Sequence, residues 1–514
     1  MIKPKQLLLD DIALYLDDQK SINEFSKEEQ DFLISKEWDL EKDEYVLSRT
    51  MHITEPVKLN GNGSTIKCDG IKEGFVIASS DVKMSGFNLV DFPVAVLIDA
   101  EGKTIENITV EKVVVKNLIE IGFAATNSLS NGHLRHVVIK NCDVYCANTE
   151  WLDVEEELSQ QIPFICTLAL HRDLSTTLIE NCSIEDIWFD GNYSHNGIRE
   201  PFNFFGCGLL DDGMNDYWNG REIKYRNLFL DGLHFVRNKV DIAWDAAFNF
   251  IGTSFDAENI HSKNIEIAEN DAGTGIAGIY LFVSEPFYGE NSNMTMKHVV
   301  IRDNNLHKSV DDVGEPERMV YMGACRLDYY EPTYARNNLL EDIQIYGNTF
   351  TGSGPVITGI YSMIDGVSIA ENNIVRNVRI HDNTILDAET AFIIDGCQCE
   401  GRRHDWNWGS PRHNKKWLDE IENSEVTFEF KNNGVEDVII ENNTVDGYRY
   451  KVRATGANVR GHGIVSNNKA NKNIRFSNNK FGIGDGHLYV NHVHLEDFCK
   501  DGGGNEVDLN IKNI

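Results

Sequence analysis

No run of eighteen apolar residues occurs in the 514-residue chain, so no segment reads as a membrane-spanning helix. Near the N-terminus the apolar run Leu7-Leu-Leu9 is only three residues long, too short for the core of a signal peptide. Basic residues are scarce. Lys and Arg number 48 against 81 Asp and Glu, a formal net charge of −33. That balance argues against a general nucleic-acid binder or a protein of anionic membrane surfaces, since phosphate groups are met by basic patches. Cysteine is sparse too. The ten are scattered, mostly inside apolar runs, and read as reduced, buried thiols of a cytoplasmic protein. Cys397 and Cys399 share one side of a strand. No second Cys/His pair at zinc spacing accompanies them, so no structural metal is expected.

What the chain has in abundance is short β-branched runs that end in asparagine. They include Val113–Asn117, Val137–Asn141, Leu178–Asn181, Ile265–Asn270, Val299–Asn305, Ile343–Asn348, Val378–Asn383, Val438–Asn443 and Ile474–Asn479. They recur at intervals of a few tens of residues, with a longer gap before Asn442, and this is the period range of solenoids. Each run is short, alternates apolar with polar and is rich in Val and Ile, so the unit is a strand. Asparagine suits the following turn because it tolerates the left-handed backbone region. Asparagines one rung apart can also stack as a hydrogen-bonded ladder. A second, more apolar strand follows in each repeat, as in Phe164–Leu170, Phe204–Leu210, Ile242–Phe248, Ile279–Val283, Val320–Cys325, Val356–Tyr361 and Ala391–Asp395. Two strands per turn, with no helix between them, predict a coil of parallel strands filled by inward Val, Ile, Leu and Phe.

The predicted architecture is all-β, a parallel β-helix solenoid with an N-terminal helical cap and long loops between rungs. Residues 1–44 form the cap. Leu8, Ile12, Tyr15 and Leu16 keep helical spacing, and Ser26-Lys-Glu-Glu29 is a capping box. Residues 45–495 form the coil and 496–514 a C-terminal tail. Residues 398–425 are read as a basic, Trp-rich loop inserted between rungs, with Trp406 and Trp408 placed to stack on sugar rings. The Val-x-Ile-x-x-Asn-Asn repeats, the cap and the Val57–Ile66 entry segment resemble the right-handed parallel β-helix proteins of the pectate-lyase-like superfamily. That resemblance implies the fold and a carbohydrate-active role; the superfamily holds lyases, hydrolases, fructan-cleaving transferases, epimerases, esterases and phage tailspikes. Gly461-His462-Gly463 looks like a motif of its polygalacturonase-type hydrolases. It falls far too late in the coil, and His462 is read as structural.

In a solenoid, equivalent positions of successive repeats line up about 4.8 Å apart. Carboxylates on adjacent or alternate rungs therefore come near the separations used by retaining and inverting glycosidases. Polar residues flanking the second strands are the candidates. Asp211, Asp212, Asp245 and Glu285 are the expected catalytic carboxylates, with Asp212 and Asp245 the first choice as a pair. His171, Arg172, Asp173, Trp218, Trp244, Arg326, Asp328 and Tyr329 are the expected substrate contacts, the arginines orienting the acids. Asp241 is assigned to a turn. No cofactor is expected, although calcium held by carboxylates from different rungs stays open.

Together these residues point to an enzyme that cleaves glycosidic bonds of an imported neutral oligosaccharide by carboxylate acid/base chemistry. Two alternatives stand beside it. One is a lyase or fructan-type intramolecular transferase on the same fold, and the other a non-catalytic glycan-binding coil. No nucleic-acid or membrane partner is expected, and the sequence leaves the oligomeric state open.

Overall fold

A computed structural model of the chain describes residues 1–147, 161–171, 177–195, 200–209, 224–253, 256–286, 289–309, 318–327, 333–364, 368–402 and 428–511. Asp211, Asp212, Arg172, Asp173, Trp218, Asp328, Tyr329, Trp406 and Trp408 lie outside these residues.

The strands wind as a coil in which every neighbour is parallel and one turn distant. One turn runs through Gly289–Ser292, Thr295–Arg302, Asn305–Lys308 and Arg318–Leu327. The next repeats it in register with Thr333–Arg336, Leu339–Tyr346, Thr349–Thr351 and Pro355–Ile364. Stacking these turns gives four sheets, here called D, B, C and A in the order the chain visits them. The central turns thus hold four strands rather than the two expected from the sequence. The two extra strands are short and polar on alternate residues, so they merge with turn sequence when read in one dimension.

The corners explain the asparagines, and two residues share the work. The first adopts the left-handed conformation: Asp303, Asp382, Asn442 and Asn478 have φ of 56, 56, 58 and 55°. The second is buried and bonded along the coil axis. The Asn304 backbone N–H donates to Asn348 Oδ1 (2.9 Å), and Asn348 in turn donates to Asn383 Oδ1 (3.0 Å). Their Nδ2 groups donate to the strand carbonyls of Ile267 and Ile301. A second ladder, at the corner between D and B, joins Asn373, Asn433, Asn468 and Asn505. Each rung satisfies corner amides that would otherwise be buried without partners.

Inside, equivalent residues stack. Phe123, Phe164, Phe202 and Phe248 sit in register, with ring centroids 5.3, 4.7 and 5.3 Å apart. They belong to a main core bounded by A, B and C. The later half of A and sheet D enclose a smaller core of Cys325, Leu327, Ile360, Cys397, Cys399, Phe428 and Phe430. The two are separated where the backbone of A touches the D–B corner. A Cβ on Gly359 would lie 2.4 Å from the Gly396 carbonyl and 2.6 Å from the Gly434 nitrogen, so no larger residue fits. Gly396 is pinned in the same way by Gly456 and Lys469. Burial pushes the thiols of Cys142 and Cys146 up to about 12 and that of Cys397 well above its usual value. Cys68, Cys142, Cys146, Cys166, Cys182 and Cys397 are free thiols.

The cap consists of α1 (Leu9–Leu16) and α2 (Lys27–Ser35). Leu9, Ile12, Ala13 and Leu16 are buried, whereas Leu8 precedes the helix and is exposed. The capping box forms: Ser26 Oγ accepts from the Glu29 N–H, and Glu29 accepts from the Ser26 N–H. Residues 37–39 already pair with the first turn, at Lys58–Asn60. The coil also runs further than the sequence suggested. Lys500–Asp501 and Glu506–Ile511, in the expected tail of residues 496–514, are strands of the last turn. Their reason is local: Asn505 extends the ladder and Val507, Leu509 and Ile511 alternate toward the core. Similarly, Gln398–Arg402 closes the strand Thr384–Arg402 and is no part of a loop. No helix among the described residues is long and apolar enough to cross a membrane.

Candidate functional site

Sheet A lengthens in the turns from Arg318–Leu327 onward and bends inward at the Gly359 and Gly396 column. Its outer face is therefore a trough. The measure of the bend is Arg318, whose Nη2 lies 2.7 Å from Glu400 Oε1. By register Arg318 belongs to the column of Thr390, ten residues before Glu400. Ten residues of straight strand span about 33 Å, so the contact exists only because the sheet folds back on itself.

One wall carries Tyr280, Tyr321, Phe282, Asp395 and Arg453, and the other Glu285, Arg326, Tyr361, Gln398 and Glu400. Tyr280 and Tyr321 are register partners with centroids 6.0 Å apart. Arg326, Tyr361 and Gln398 follow one another on the opposite wall. The Arg326 N–H donates to the Ser284 carbonyl, which places Glu285 beside it one turn earlier. Charges and rings close across the trough. Arg326 stands 4.7 Å over the Tyr280 ring and its Nε is 3.5 Å from Glu285 Oε1. Arg318 lies 4.3 Å over Tyr321 and 4.9 Å over Tyr361, and the Tyr361 hydroxyl donates to Glu400 (3.2 Å). Asp395 is fully buried and accepts from Arg453 (2.8 Å) and Thr455 (2.6 Å).

Three arginine–carboxylate pairs thus line one face, each with a buried member. Burial opposes the charge on Arg318, but Tyr361, Tyr321 and Glu400 around it outweigh that and hold its pKa well above the usual value. Tyr280, Tyr321 and Tyr361 are buried, their rings packed on one another and beneath the Arg318 and Arg326 guanidinium groups.

Of the residues singled out in the sequence, Asp245, Trp244, Glu285 and Arg326 are described and border this trough. Trp244 and Asp245 occupy the corner where C passes into A. Their carbonyls accept from Ile276 and Ala277 of the next turn. Ile276 packs in one cluster with Tyr280, Tyr321 and Tyr361. Asp245 is buried at the entry to A, and Glu285 is buried at the exit of the next strand of A. The expected arginine–acid contact is therefore present at Arg326 and Glu285. His171 ends the strand Ile162–His171, paired with Leu209, and its side chain is outside the described set. Asp241 lies within the strand Lys239–Ala243, not at a turn. It accepts from the Tyr193 hydroxyl and faces His195 at 3.5 Å, because the corner falls three residues later.

Arg318, Glu400, Asp395, Arg453 and the three tyrosines were missed. A tyrosine inside each of three consecutive apolar runs was the available signal. The pairing of Arg318 with Glu400, 82 residues apart, had none. His462 stacks on Phe498 (4.4 Å), consistent with a structural role. A second groove of about 340 Å³ lies on the outer face of sheet B, over Ser183, Phe229 and His261. Its Asp231 and Lys263 are paired at 2.8 Å. Among the described residues no group of three or more His, Cys, Asp or Glu is arranged to hold a metal ion.

No protein-family model and no curated protein matches the chain. Among solved structures it is similar to the catalytic domain of a GH87 α-1,3-glucanase in complex with tetrasaccharides. Identity is 12%, the TM-score is 0.37, and the match covers 98% of this chain and 68% of that one. It is also similar to the A-module of the Azotobacter vinelandii mannuronan C-5 epimerase AlgE4, at 13% identity, TM-score 0.35, and 96% and 95% coverage. The Streptococcus pneumoniae surface protein and adhesin PfbA matches at 11% identity, TM-score 0.27, and 89% and 91% coverage. These likenesses concern coiled architecture and assign no chemistry to this chain. Its own strand register, turn after turn, makes it an all-β parallel β-helix protein.

Proposed function

We propose that the chain is a carbohydrate-active enzyme that cleaves glycosidic bonds in a neutral oligosaccharide by carboxylate acid/base catalysis. The observation that carries this reading is the trough itself, where buried acids, arginines and tyrosines from successive turns converge on the outer face of sheet A. Glu285, beside the Arg326 guanidinium, is the proposed base or nucleophile. Asp245, buried at the entry to the neighbouring strand of A, is the proposed general acid. Asp211 and Asp212 remain the alternative acids. A neutral substrate is favoured over a uronate because Arg318, Arg326 and Arg453 already face Glu400, Glu285 and Asp395. A lyase needs a cation to neutralise its substrate's carboxylate. Buried, reduced cysteines fit a cytoplasmic enzyme acting on imported oligosaccharides.

The test is product mass after incubation with a panel of neutral oligosaccharides, with and without chelator. Hydrolysis adds one water per cleavage, and Asp245→Asn and Glu285→Gln should each lower kcat by about 10²–10⁴-fold with the fold retained. Products without added water would overturn the reading in favour of elimination or transfer. Full activity in both variants would remove these two acids from the mechanism.

A further inference from the structure

Two turns and one turn before Tyr280, the same face of sheet A carries Asn203 and Asn249. They are register partners on adjacent strands, and Asn249 pairs in turn with Tyr280. They are 0 and 1% exposed, yet the Oδ1 of each accepts no hydrogen bond. The contrast with the corners is sharp. There, buried asparagines stacked at the same rung spacing are bonded through Oδ1 and Nδ2, as at Asn238, Asn270, Asn304 and Asn348. Here the Nδ2 of Asn203 donates to the Glu200 carbonyl, which fixes the amide and leaves Oδ1 as the open side. A buried acceptor without a donor is destabilising, and two side by side call for a donor absent from the described chain.

The chemistry of that donor follows from the surroundings. Ile165 flanks the pair on one side and Tyr280 on the other, with Phe205 and Ile251 two residues along each strand. Two acceptors one rung apart, framed by aliphatic and aromatic faces, match a pyranose. Hydroxyls on alternate ring carbons stand about one rung apart, and the C–H face of the ring packs on apolar side chains. We infer that Asn203 and Asn249 form a binding site for a neutral pyranose, in which each Oδ1 accepts from a ring hydroxyl. The inference rests on the carbohydrate reading of the trough and assigns a sugar position to its floor, next to the Asp245 corner. The hydrogen bonds form in a low-dielectric site, where they are strong.

The experiment uses the full chain and the monosaccharides D-glucose, D-galactose and D-mannose as probes. Crystals soaked in each should show hydroxyl oxygens within hydrogen-bond distance of both Oδ1 atoms for at least one sugar. Waters alone on both amides at saturating sugar would overturn the inference. A second arm follows thermal midpoints of Asn203→Leu and Asn249→Leu. Removing the unbonded Oδ1 offsets the loss of the Asn203 Nδ2 bond to Glu200, so each variant should leave the midpoint of the free protein unchanged or raised and should abolish the upward shift that the bound sugar gives the parent. A midpoint lowered by several degrees without sugar would make the amides structural and sink the idea. The two readings fail separately. Sugar on the amides with full activity in Asp245→Asn and Glu285→Gln would spare the site and remove the proposed catalytic acids. Loss of activity in those variants with water-only amides would do the reverse.

Discussion

The tie between Arg318 and Glu400 gives the trough a measurable energy. Arg318 is 5% exposed in its side chain and Glu400 19%. Arg318→Met keeps the length of the stem and removes the charge. Breaking a buried ion pair costs about 3–5 kcal/mol, because the surviving charge is left uncompensated. Partial exposure of Glu400 places this case near 3. Loss of the stacking over Tyr321 and Tyr361 adds about 0.5–1 kcal/mol for each ring. Arg318→Met should therefore cost roughly 4 kcal/mol in equilibrium urea unfolding. Glu400→Met should cost a similar amount by stranding the guanidinium. The double variant should cost about 5 kcal/mol rather than the roughly 8 of additive singles, since neither charge is then left uncompensated. The expected coupling is about 3 kcal/mol, roughly a hundredfold in the equilibrium constant. Were the two single effects to add within about 0.5 kcal/mol, the side chains would not meet, and the fold-back of sheet A would be wrong.

The corner ladders make a second expectation. Asn348→Leu strips the acceptor from the Asn304 N–H and the donor from the Ile301 carbonyl, so urea unfolding should show a loss of about 2–4 kcal/mol, against about 1 for the exposed Asn337→Ala. Acid should act through the ion pairs between turns. Lys83 and Lys140 hold Glu111 below the usual carboxylate range. Burial pushes Glu341 up, but Arg376 and Lys297 outweigh it and hold it low. Both folded values are depressed, so their stability is fully present above the unfolded value of about 4.3 and is lost as pH falls through the folded ones. The urea midpoint should decline below pH 4, and less steeply in Glu111→Gln/Glu341→Gln.

The coil was legible because its determinants are local. An asparagine pair after a Val/Ile run states both the corner and the rung, and the Ser26–Glu29 box states a helix start. The trough was only half legible. Asp245 and Glu285 stood out as acids beside apolar strands, and Arg326 as a cation near them. The bend that brings the walls together was not, because Gly359 and Gly396 look like ordinary strand glycines until a backbone from another turn is seen against them. The counterpart of Arg318 lies two turns away, and no spacing rule connects them. Sheets C and D were overlooked for a different reason, since three- and four-residue strands carry too little periodicity to distinguish from turns.

The two ladders also bear on how such a molecule changes over evolutionary time. Along the ladder each asparagine bonds to its counterparts one turn before and one turn after, and its Nδ2 donates to a strand carbonyl of the preceding turn. Remove a complete turn, such as 294–337, and Asn270 would meet Asn348 in the place of Asn304, with the corner chemistry unchanged. Gain or loss of a turn would then be a graft at matched seams rather than a break. Each event would alter the length of the trough by about 4.8 Å, close to the rise of one sugar in an extended glycan. If the trough takes a glycan as proposed, substrate length would be reset by counting turns, while the residues proposed to act on the sugar stay where they are.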